Sequence, residues 1–288
     1  MKQYRILYNP FAGGGTGRET AMRLLDIVRD GEMRFYDITE IDSLSSFFAK
    51  IDAKDIVLVA GGDGTLNRFV NAIDGLSVPN DIYYYASGRE NDFWRDLGFS
   101  AGDPPVCVNR YLQGLPRAIS GQRTLRVLNG VGCGMDGYCC EESNRLRAGS
   151  SGRVRFGRIA LRGILYRYRP VDAVVTVDGK RHDYRSVWLT PMMHGRFYGG
   201  GMMPTPEQDR LDPEGRISVM VLSGAGRFRV LRMFSSIFKG RLASYRKNVE
   251  ILSGHDISVE FSRPVPIQVD GEVLPATSTC RLQAEPSE

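Results

Sequence analysis

The residues best suited to chemistry sit in short glycine-bearing stretches. The central one is D-I-V-L-V-A-G-G-D-G-T-L-N at residues 55–67. Gly61, Gly62 and Gly64 have no side chains, so the chain can turn tightly there and a ligand can approach the backbone. Residues 56–59 before them form an apolar β-branched run that reads as a strand buried on both faces. Residues 66–73 after them read as a helix with Leu66, Phe69, Val70 and Ile73 on one face. A strand that breaks into glycines at a helix start offers free N–H groups and a positive helix end, a seat for phosphate. Asp63 in that seat would repel phosphate unless a cation bridges the two, which points to Mg2+ with a nucleotide. The competing reading is a plain glycine turn that closes a βα unit, with Asp63 as a turn residue.

A second stretch of the same kind is N-P-F-A-G-G-G-T at residues 9–16. Proline and three glycines end the strand expected at residues 4–8, and helical spacing resumes over 19–28 through Met22, Leu25 and Val28. Asn9 offers a side-chain amide to a ligand, or caps its own loop. A third stretch, S-G-R-E-N-D-F-W at residues 87–94, follows a strand expected at 82–85. Asn91 there reads as the N-cap of a short helix and Asp92 as its first-turn acid. Late in the chain comes Asp270-Gly271-Glu272, two carboxylates around a glycine, which also reads as a plain hairpin turn between Val269 and Val273.

Strands at 4–8, 33–38, 56–59 and 82–85 alternate with helices at 19–28, 43–50 (capped by Asp42 or Ser43) and 66–73. That alternation predicts a doubly wound α/β domain with a mostly parallel sheet. Ligands of such sheets bind beyond the C-terminal strand ends, where the loops at Asn9, Thr39, Gly61 and Gly88 all fall. From about Arg123 short β-type runs dominate, at 125–128, 171–177, 184–189, 217–222, 249–252, 257–261, 265–269 and 278–282. Turns at Asp178-Gly179, Pro213-Glu214-Gly215, Ser253-Gly254 and Asp270-Gly271 punctuate them. A second domain, an antiparallel β-sandwich or partial barrel, is expected. The boundary is placed at 121–124, giving domains 1–122 and 123–288, with the last residues packing back on the first domain.

The 288 residues are 42% hydrophobic and 25% charged, ordinary for a globular chain with a proper core. A net charge of +5 suits an anionic partner without choosing one. The five cysteines, an odd number without metal-ligand spacing, argue for a reducing compartment. With no apolar stretch of spanning length, the chain is expected in the cytoplasm, with peripheral contact at the inner face of the membrane. Residues 145–171 carry that last expectation: eight arginines, no acid, and interleaved Phe156, Ile159, Leu161, Ile164, Leu165 and Tyr166. The stretch reads either as an adsorbing face for anionic lipid or as a helix with a solvated basic face. No nucleic-acid-binding module is present.

With these residues in hand, the chain resembles the diacylglycerol kinase catalytic-domain family, the bacterial soluble lipid kinases related to sphingosine kinases. The pieces are N-P-x-A-G-G from Asn9, G-G-D-G-T-L-N from Gly61, G-x-x-N-D-F from Gly88, N-G-x-G-x-G-x-D from Asn129 to Asp136, Y-G-G-G-M from Tyr198 and D-G-E from Asp270. G-G-D-G-T is shared with NAD kinases and phosphofructokinase-like enzymes; the ordered set ending in D-G-E belongs to the lipid-kinase branch. The resemblance implies a two-domain fold with ATP in the cleft. It implies that Asn9, Pro10, Phe11, Ala12, Gly13, Thr39, Gly61, Gly62, Asp63, Gly64, Thr65, Leu66, Asn67 and Arg89 contact ATP. Asp63 and Asp92 would organise Mg2+ through water, and Asp270 or Glu272 would take the proton from a lipid hydroxyl, Glu272 being favoured. A structural Mg2+ would be held by Glu214 or Asp212 with the Leu211 and Arg216 carbonyls. Expected partners are a lipid substrate, an anionic membrane surface and a second copy in a homodimer, and not nucleic acid.

Four departures stand against that pattern. Arg89 occupies a position that usually holds Thr or Ser, and Arg68 one that is usually acidic. Ile119-Ser120 lies where an Asp is usual, and Leu211-Asp212-Pro213-Glu214-Gly215-Arg216 stands for an Asp-Asp-Gly segment. The rival readings are an NAD kinase-like enzyme and a nucleotide-binding regulator with weakened catalysis.

Overall fold

A computed structural model describes residues 1–149 and 156–285. By its internal contacts the chain divides into two compact units, Met1–Gln113 and Gly114–Glu288.

The first unit is a five-stranded sheet of β1 (Lys2–Tyr8), β2 (Gly31–Asp37), β3 (Ile56–Gly61), β4 (Ile82–Ala86) and β5 (Val106–Cys107), in the order β2-β1-β3-β4-β5. The first four strands run parallel, and β5 joins β4 antiparallel. Every residue of β3 is buried, as its continuous apolar run requires. Ile56, Leu58 and Ala60 share a core with Tyr4, Ile6, Ala21 and Leu24. Strand alternation turns the fully buried Val57 and Val59 to the other face. The helix Asp63–Ala72 buries Leu66, Phe69 and Val70, the face its spacing predicts.

The expected helix over 19–28 is instead two short pieces, Gly17–Met22 and Leu24–Ile27, and its buried side differs from the expectation. Met22 and Leu25 are exposed, while Ala21 and Leu24 are buried. Gly17 sets this phase. A Cβ on it would lie 1.9 Å from the Asn9 carbonyl oxygen, so the helix begins pressed on that loop, and positions i+4 and i+7 face the sheet. Of the two candidate caps for the next helix, Leu44–Phe48, Ser43 serves, its Oγ accepting from Ser46 N at 3.4 Å.

The second unit is one ten-stranded antiparallel sheet. Its strands are β6 (Arg117–Ser120), β7 (Arg123–Arg126), β8 (Gly130–Cys133), β9 (Val171–Val177), β10 (Lys180–Val187), β11 (Met192–Met193), β12 (Ile217–Leu222), β13 (Val249–Gly254), β14 (Asp256–Val269) and β15 (Glu272–Gln283). The main path is β13-β12-β11-β8-β14-β15-β6-β7, with β9 on β14 and β10 on β9. The two runs expected at 257–261 and 265–269 are one long strand. It pairs with β9 in its first half and with β8 in its second, and its register against β15 shifts between Glu260 and Val265 and again before Ile267. Pro264 and Pro266 fall in that irregular stretch, where a missing donor costs least. Side chains of β8, β9, β12, β14 and β15 close on a single apolar core. On β12 Ile217, Val219 and Val221 enter that core, while Met220 and Leu222 enter a second core shared with the helices Phe156–Arg162 and Arg227–Phe234.

The hairpin β6–β7 belongs to this sheet, so the compact division at 113–114 precedes the boundary read at 121–124. Glu285 pairs with Arg117 and Arg126, each at 2.6 Å, inside the second unit. Residues 286–288, part of the tail expected to pack on the first domain, lie outside the described residues. So do Arg153 and Arg155 of the arginine-rich stretch. The helix Met135–Gly149 has no counterpart among the expected elements. Gly137 lets it lie against β14, for a Cβ there would sit 2.1 Å from the Pro266 carbonyl oxygen. All five cysteines are free; Cys139 is a core residue of that helix.

Candidate functional site

In the first unit the loops leaving the parallel strands gather at one sheet edge. Asn9, just past β1, donates its backbone N–H to the Ala60 carbonyl at 3.2 Å. Its Oδ1 accepts from Phe11 N at 3.0 Å and its Nδ2 donates to Thr65 Oγ1 at 2.9 Å. It therefore caps its own loop and also ties that loop to the helix after β3. Gly13, Gly14 and Gly15 follow with φ of 65°, 87° and 98°, a region that favours glycine. Arg89 fills the space beside them. Its Nε donates to the Gly13 carbonyl at 3.2 Å, and a Cβ on Gly14 would lie 1.9 Å from its guanidinium. Gly62 and Gly88 are required by close approach: a Cβ on Gly88 would lie 2.5 Å from Gly62 Cα.

Asp63 begins the helix Asp63–Ala72 and reaches across to the next loop. Its Oδ2 accepts from Asp92 N, and its Oδ1 from Phe93 N at 3.3 Å. It thereby caps the helix Asp92–Asp96, the role expected of Asn91. Asn91 does stand at the N-cap, with a left-handed φ of 45°, but its amide donates backwards to the Gly88 carbonyl at 2.9 Å. Asp92 is buried, its Oδ1 accepting from Arg95 Nη1 at 3.1 Å. Tyr84 donates to the Gly61 carbonyl at 3.1 Å; burial first, then the Asp63 charge, pushes its phenol far above the usual range. Thr39 is exposed at the end of β2, its N and Oγ1 both donating to Asp37 Oδ1, at 2.9 and 2.7 Å. Phe11 and Gly64 are exposed and Pro10 is half-buried, while Ala12, Leu66 and Asn67 are buried. Leu66 is a core side chain, and any ligand contact it makes runs through its backbone.

Two polar atoms at this edge, Ser87 Oγ and Asn91 Oδ1, are buried without a hydrogen-bond partner. Unmet oxygens beside two carboxylates are what the water shell of a hard cation satisfies. Asp63, Asp92 and Asn91 thus fit Mg2+ held through water. The 211–216 turn does not fit a metal. Asp212 Oδ2 accepts from Arg216 N at 3.0 Å and Nε at 2.8 Å, and Glu214 lies 3.4 Å from the same guanidinium. The arginine supplies the positive charge, and its hydrogen bonds hold Asp212 below the usual carboxylate range. The Arg216 carbonyl accepts from Gln208 Nε2 at 2.9 Å. Among the described residues no group of three or more Asp, Glu, His or Cys is close enough to hold a metal directly.

In the second unit the D-G-E hairpin joins β14 to β15, with φ of 46° at Asp270 and 87° at Gly271. Two positive φ values in a two-residue loop make the turn that Asp-Gly favours. The two carboxylates have opposite surroundings. Asp270 Oδ1 accepts from Asn129 N at 2.8 Å and Gly130 N at 3.0 Å, and its Oδ2 from Leu128 N at 2.6 Å. Burial raises its pKa, and those three N–H groups and Arg210 oppose the rise. Glu272 is exposed, with Arg123 Nη1 at 3.3 Å.

Sequence reasoning missed the residues that hold this turn. Gln268 is buried, and its Oε1 accepts from Gly271 N at 2.7 Å. Arg210 is buried too, donating to the Leu128 carbonyl and to Asn129 Oδ1, each at 3.1 Å. The signal for Gln268 was its place two residues before the motif; Arg210 gave none. Asp136, which closes N-G-x-G-x-G-x-D, is buried with Oδ2 unpartnered. Burial raises its pKa to about 7, against the Tyr198 hydroxyl beside it.

A parallel sheet with glycine loops at its C-terminal edge, joined to an antiparallel β domain carrying a D-G-E hairpin, is the two-domain plan of a diacylglycerol kinase-like fold. The diacylglycerol kinase catalytic domain profile matches residues 3–123, and the YegS C-terminal NAD kinase beta sandwich-like domain profile matches residues 129–288. The chain belongs to the diacylglycerol kinase family. It is 27% identical over 248 residues to a diacylglycerol kinase of Mycobacterium tuberculosis, covering 81% of this chain and 77% of that one. It is 24% identical over 289 residues to a diacylglycerol kinase of Bacillus subtilis, covering 94% and 90%. In fold it is similar to the crystal structure of a diacylglycerol kinase from Bacillus anthracis, with a TM-score of 0.61, 18% identity, and coverage of 99% of this chain and 94% of that one.

Proposed function

We propose that this chain is an ATP-dependent lipid kinase that moves the γ-phosphate of ATP to the hydroxyl of a diacylglycerol-like lipid. The observation that carries the reading is the sheet edge where Asn9, the Gly13–Gly14 loop with Arg89, and Asp63 with Asp92 come together. Phosphoryl transfer asks the protein mainly to position reactants and offset phosphate charge. Backbone N–H groups at the glycine turns and the Arg89 guanidinium suit the phosphates. Hydrated Mg2+, held by Asp63 and Asp92, would offset further phosphate charge when bound.

The acceptor oxygen forms a bond to the γ-phosphorus while the bond to the β–γ bridging oxygen breaks, releasing ADP. The acceptor's proton goes to a carboxylate of the D-G-E hairpin. Glu272 takes that role, because Asp270 already accepts three backbone N–H groups. Glu272→Gln should lower kcat about 10²–10⁴-fold with ATP Kd nearly unchanged. Asp270→Asn should chiefly cost stability, about 1–3 kcal/mol, because its amide sets a donor against N–H groups. Turnover, ATP Kd and Tm measured on both variants test this. An active Glu272→Gln enzyme together with an active Asp270→Asn enzyme would remove D-G-E from the proton transfer.

One observation favours a second reading, a nucleotide-binding regulator without turnover. Arg89 packs on the very glycines that would cradle phosphate. Arg89→Ala tests what that side chain does to ATP binding. It weakens ATP binding about tenfold if the guanidinium pairs with phosphate, and strengthens it if the side chain blocks the loop.

A further inference from the structure

The turn at residues 211–216 carries two carboxylates, Asp212 and Glu214, where the resemblance implies a structural Mg2+. In this chain a cationic side chain lies between them. Arg216 grips Asp212 at three points: its backbone N–H and its Nε donate to Oδ2 at 3.0 and 2.8 Å, and its Nη2 donates to Oδ1 at 3.4 Å. Glu214 Oε2 lies 3.4 Å from the same Nε. The Asp212 side chain is only 14% exposed, so it has lost most of its water. A carboxylate in that position calls for a counter-charge, and the chain carries its own. The Arg216 carbonyl, one of the oxygens implied as metal ligands, accepts from Gln208 Nε2 at 2.9 Å, and the same nitrogen donates to the Asp209 carbonyl at 3.0 Å. Two carbonyls converge on that one nitrogen, as they would on a cation.

The turn is also a junction. His255, at the corner between β13 and β14, has its Nε2 2.7 Å from the Glu214 carbonyl oxygen. The end of the chain is tied to that corner, Ala284 N donating to the His255 carbonyl at 2.7 Å. On its other side the turn follows directly on Arg210, which is buried against the D-G-E hairpin. Arg210 donates to the Leu128 carbonyl and to Asn129 Oδ1. Leu128 and Asn129, with Gly130, are the residues whose N–H groups hold Asp270. A turn that opened at 211–216 would therefore loosen Arg210, and with it the backbone under the hairpin.

We propose that Arg216 stands in for a divalent cation: its guanidinium closes the 211–216 turn without metal and so positions Arg210 against the D-G-E hairpin. The exchange is chemically sound. A guanidinium presents a fixed fork of donors to a carboxylate, keeps its charge, and cannot be removed by a chelator. The competing account is an ordinary exposed ion pair, which would hold nothing beyond itself. The inference does not rest on phosphotransfer, since every readout is taken without ATP.

The test is amide hydrogen exchange on the full chain without nucleotide, in EDTA and then in millimolar Ca2+ or Mg2+. Rates are read at Gly215 and Arg216 in the turn and at Leu128, Asn129 and Gly130 under the hairpin. In the parent protein neither chelator nor cation should change them. Arg216→Ala should speed exchange at both places about tenfold. Ca2+ should slow it again by engaging the freed Asp212 and Glu214 carboxylates. Arg216→Ala combined with Asp212→Asn should exchange as fast in Ca2+ as in EDTA, and Arg216→Lys, which keeps the charge, should gain no response to Ca2+. Arg216 is exposed, so these variants leave the core intact. Any of three results overturns the inference. Parent rates that respond to EDTA or Ca2+ until Asp212 is replaced would put a metal in the turn. Unchanged exchange at 128–130 in Arg216→Ala would confine the arginine to a local ion pair. Fast exchange in Arg216→Ala that no cation slows would deny the guanidinium a cation's place.

Discussion

Asp63 shows how one carboxylate can serve a scaffold and a reaction together. It caps the helix Asp92–Asp96 from a different element, and it stands where nucleotide phosphate and Mg2+ are proposed to meet. The sequence pointed to the residue through its place among glycines, yet the cap itself was not legible, because the bonds cross 29 and 30 positions of chain. Local rules favoured Asn91 instead, which has the right position and the wrong orientation. Asp63→Ala should therefore do two things. Mg2+-dependent turnover should fall about 10²–10³-fold, and stability should fall about 1–2 kcal/mol as the helix loses its cap. Turnover and urea midpoint measured together check this, and a stability loss with near-normal turnover would leave Asp63 as a cap alone. The exposed Glu272 was equally legible, but choosing it over Asp270 required seeing the three N–H groups on the latter.

At the scale of elements, legibility followed how local the deciding force was. The buried strand β3, the strands β9 and β12, and both Asp-Gly hairpins could be read, because burial on two faces and left-handed turn residues leave marks on a few neighbouring positions. The strand β8 could not, since G-V-G-C carries no β signal and exists as a strand only because β11 and β14 flank it. The helix Met135–Gly149 was hidden for the same reason: its seat is fixed by Gly137 against Pro266, a contact far apart in sequence. Gly137→Ala tests that seat. The added methyl meets backbone that cannot yield cheaply, so the variant should lose about 2–4 kcal/mol. A Tm within a degree or so of the parent protein's would mean that the helix moves freely over β14.

The whole molecule joins a unit suited to nucleotide with a unit that carries the proposed base and a buried polar group at Asp136. The two-domain α/β-plus-β plan was readable from where helical spacing gives way to short β runs. Among the described residues no helix is long and apolar enough to cross a membrane. The central claim is the transfer itself. The purified chain, given γ-labelled ATP and Mg2+ with vesicles of diacylglycerol, monoacylglycerol, ceramide or sphingosine, and with NAD in a parallel reaction, should place label on a lipid hydroxyl of the diacylglycerol kind. Label on NAD alone, or ATP bound with no label on any acceptor, would contradict it.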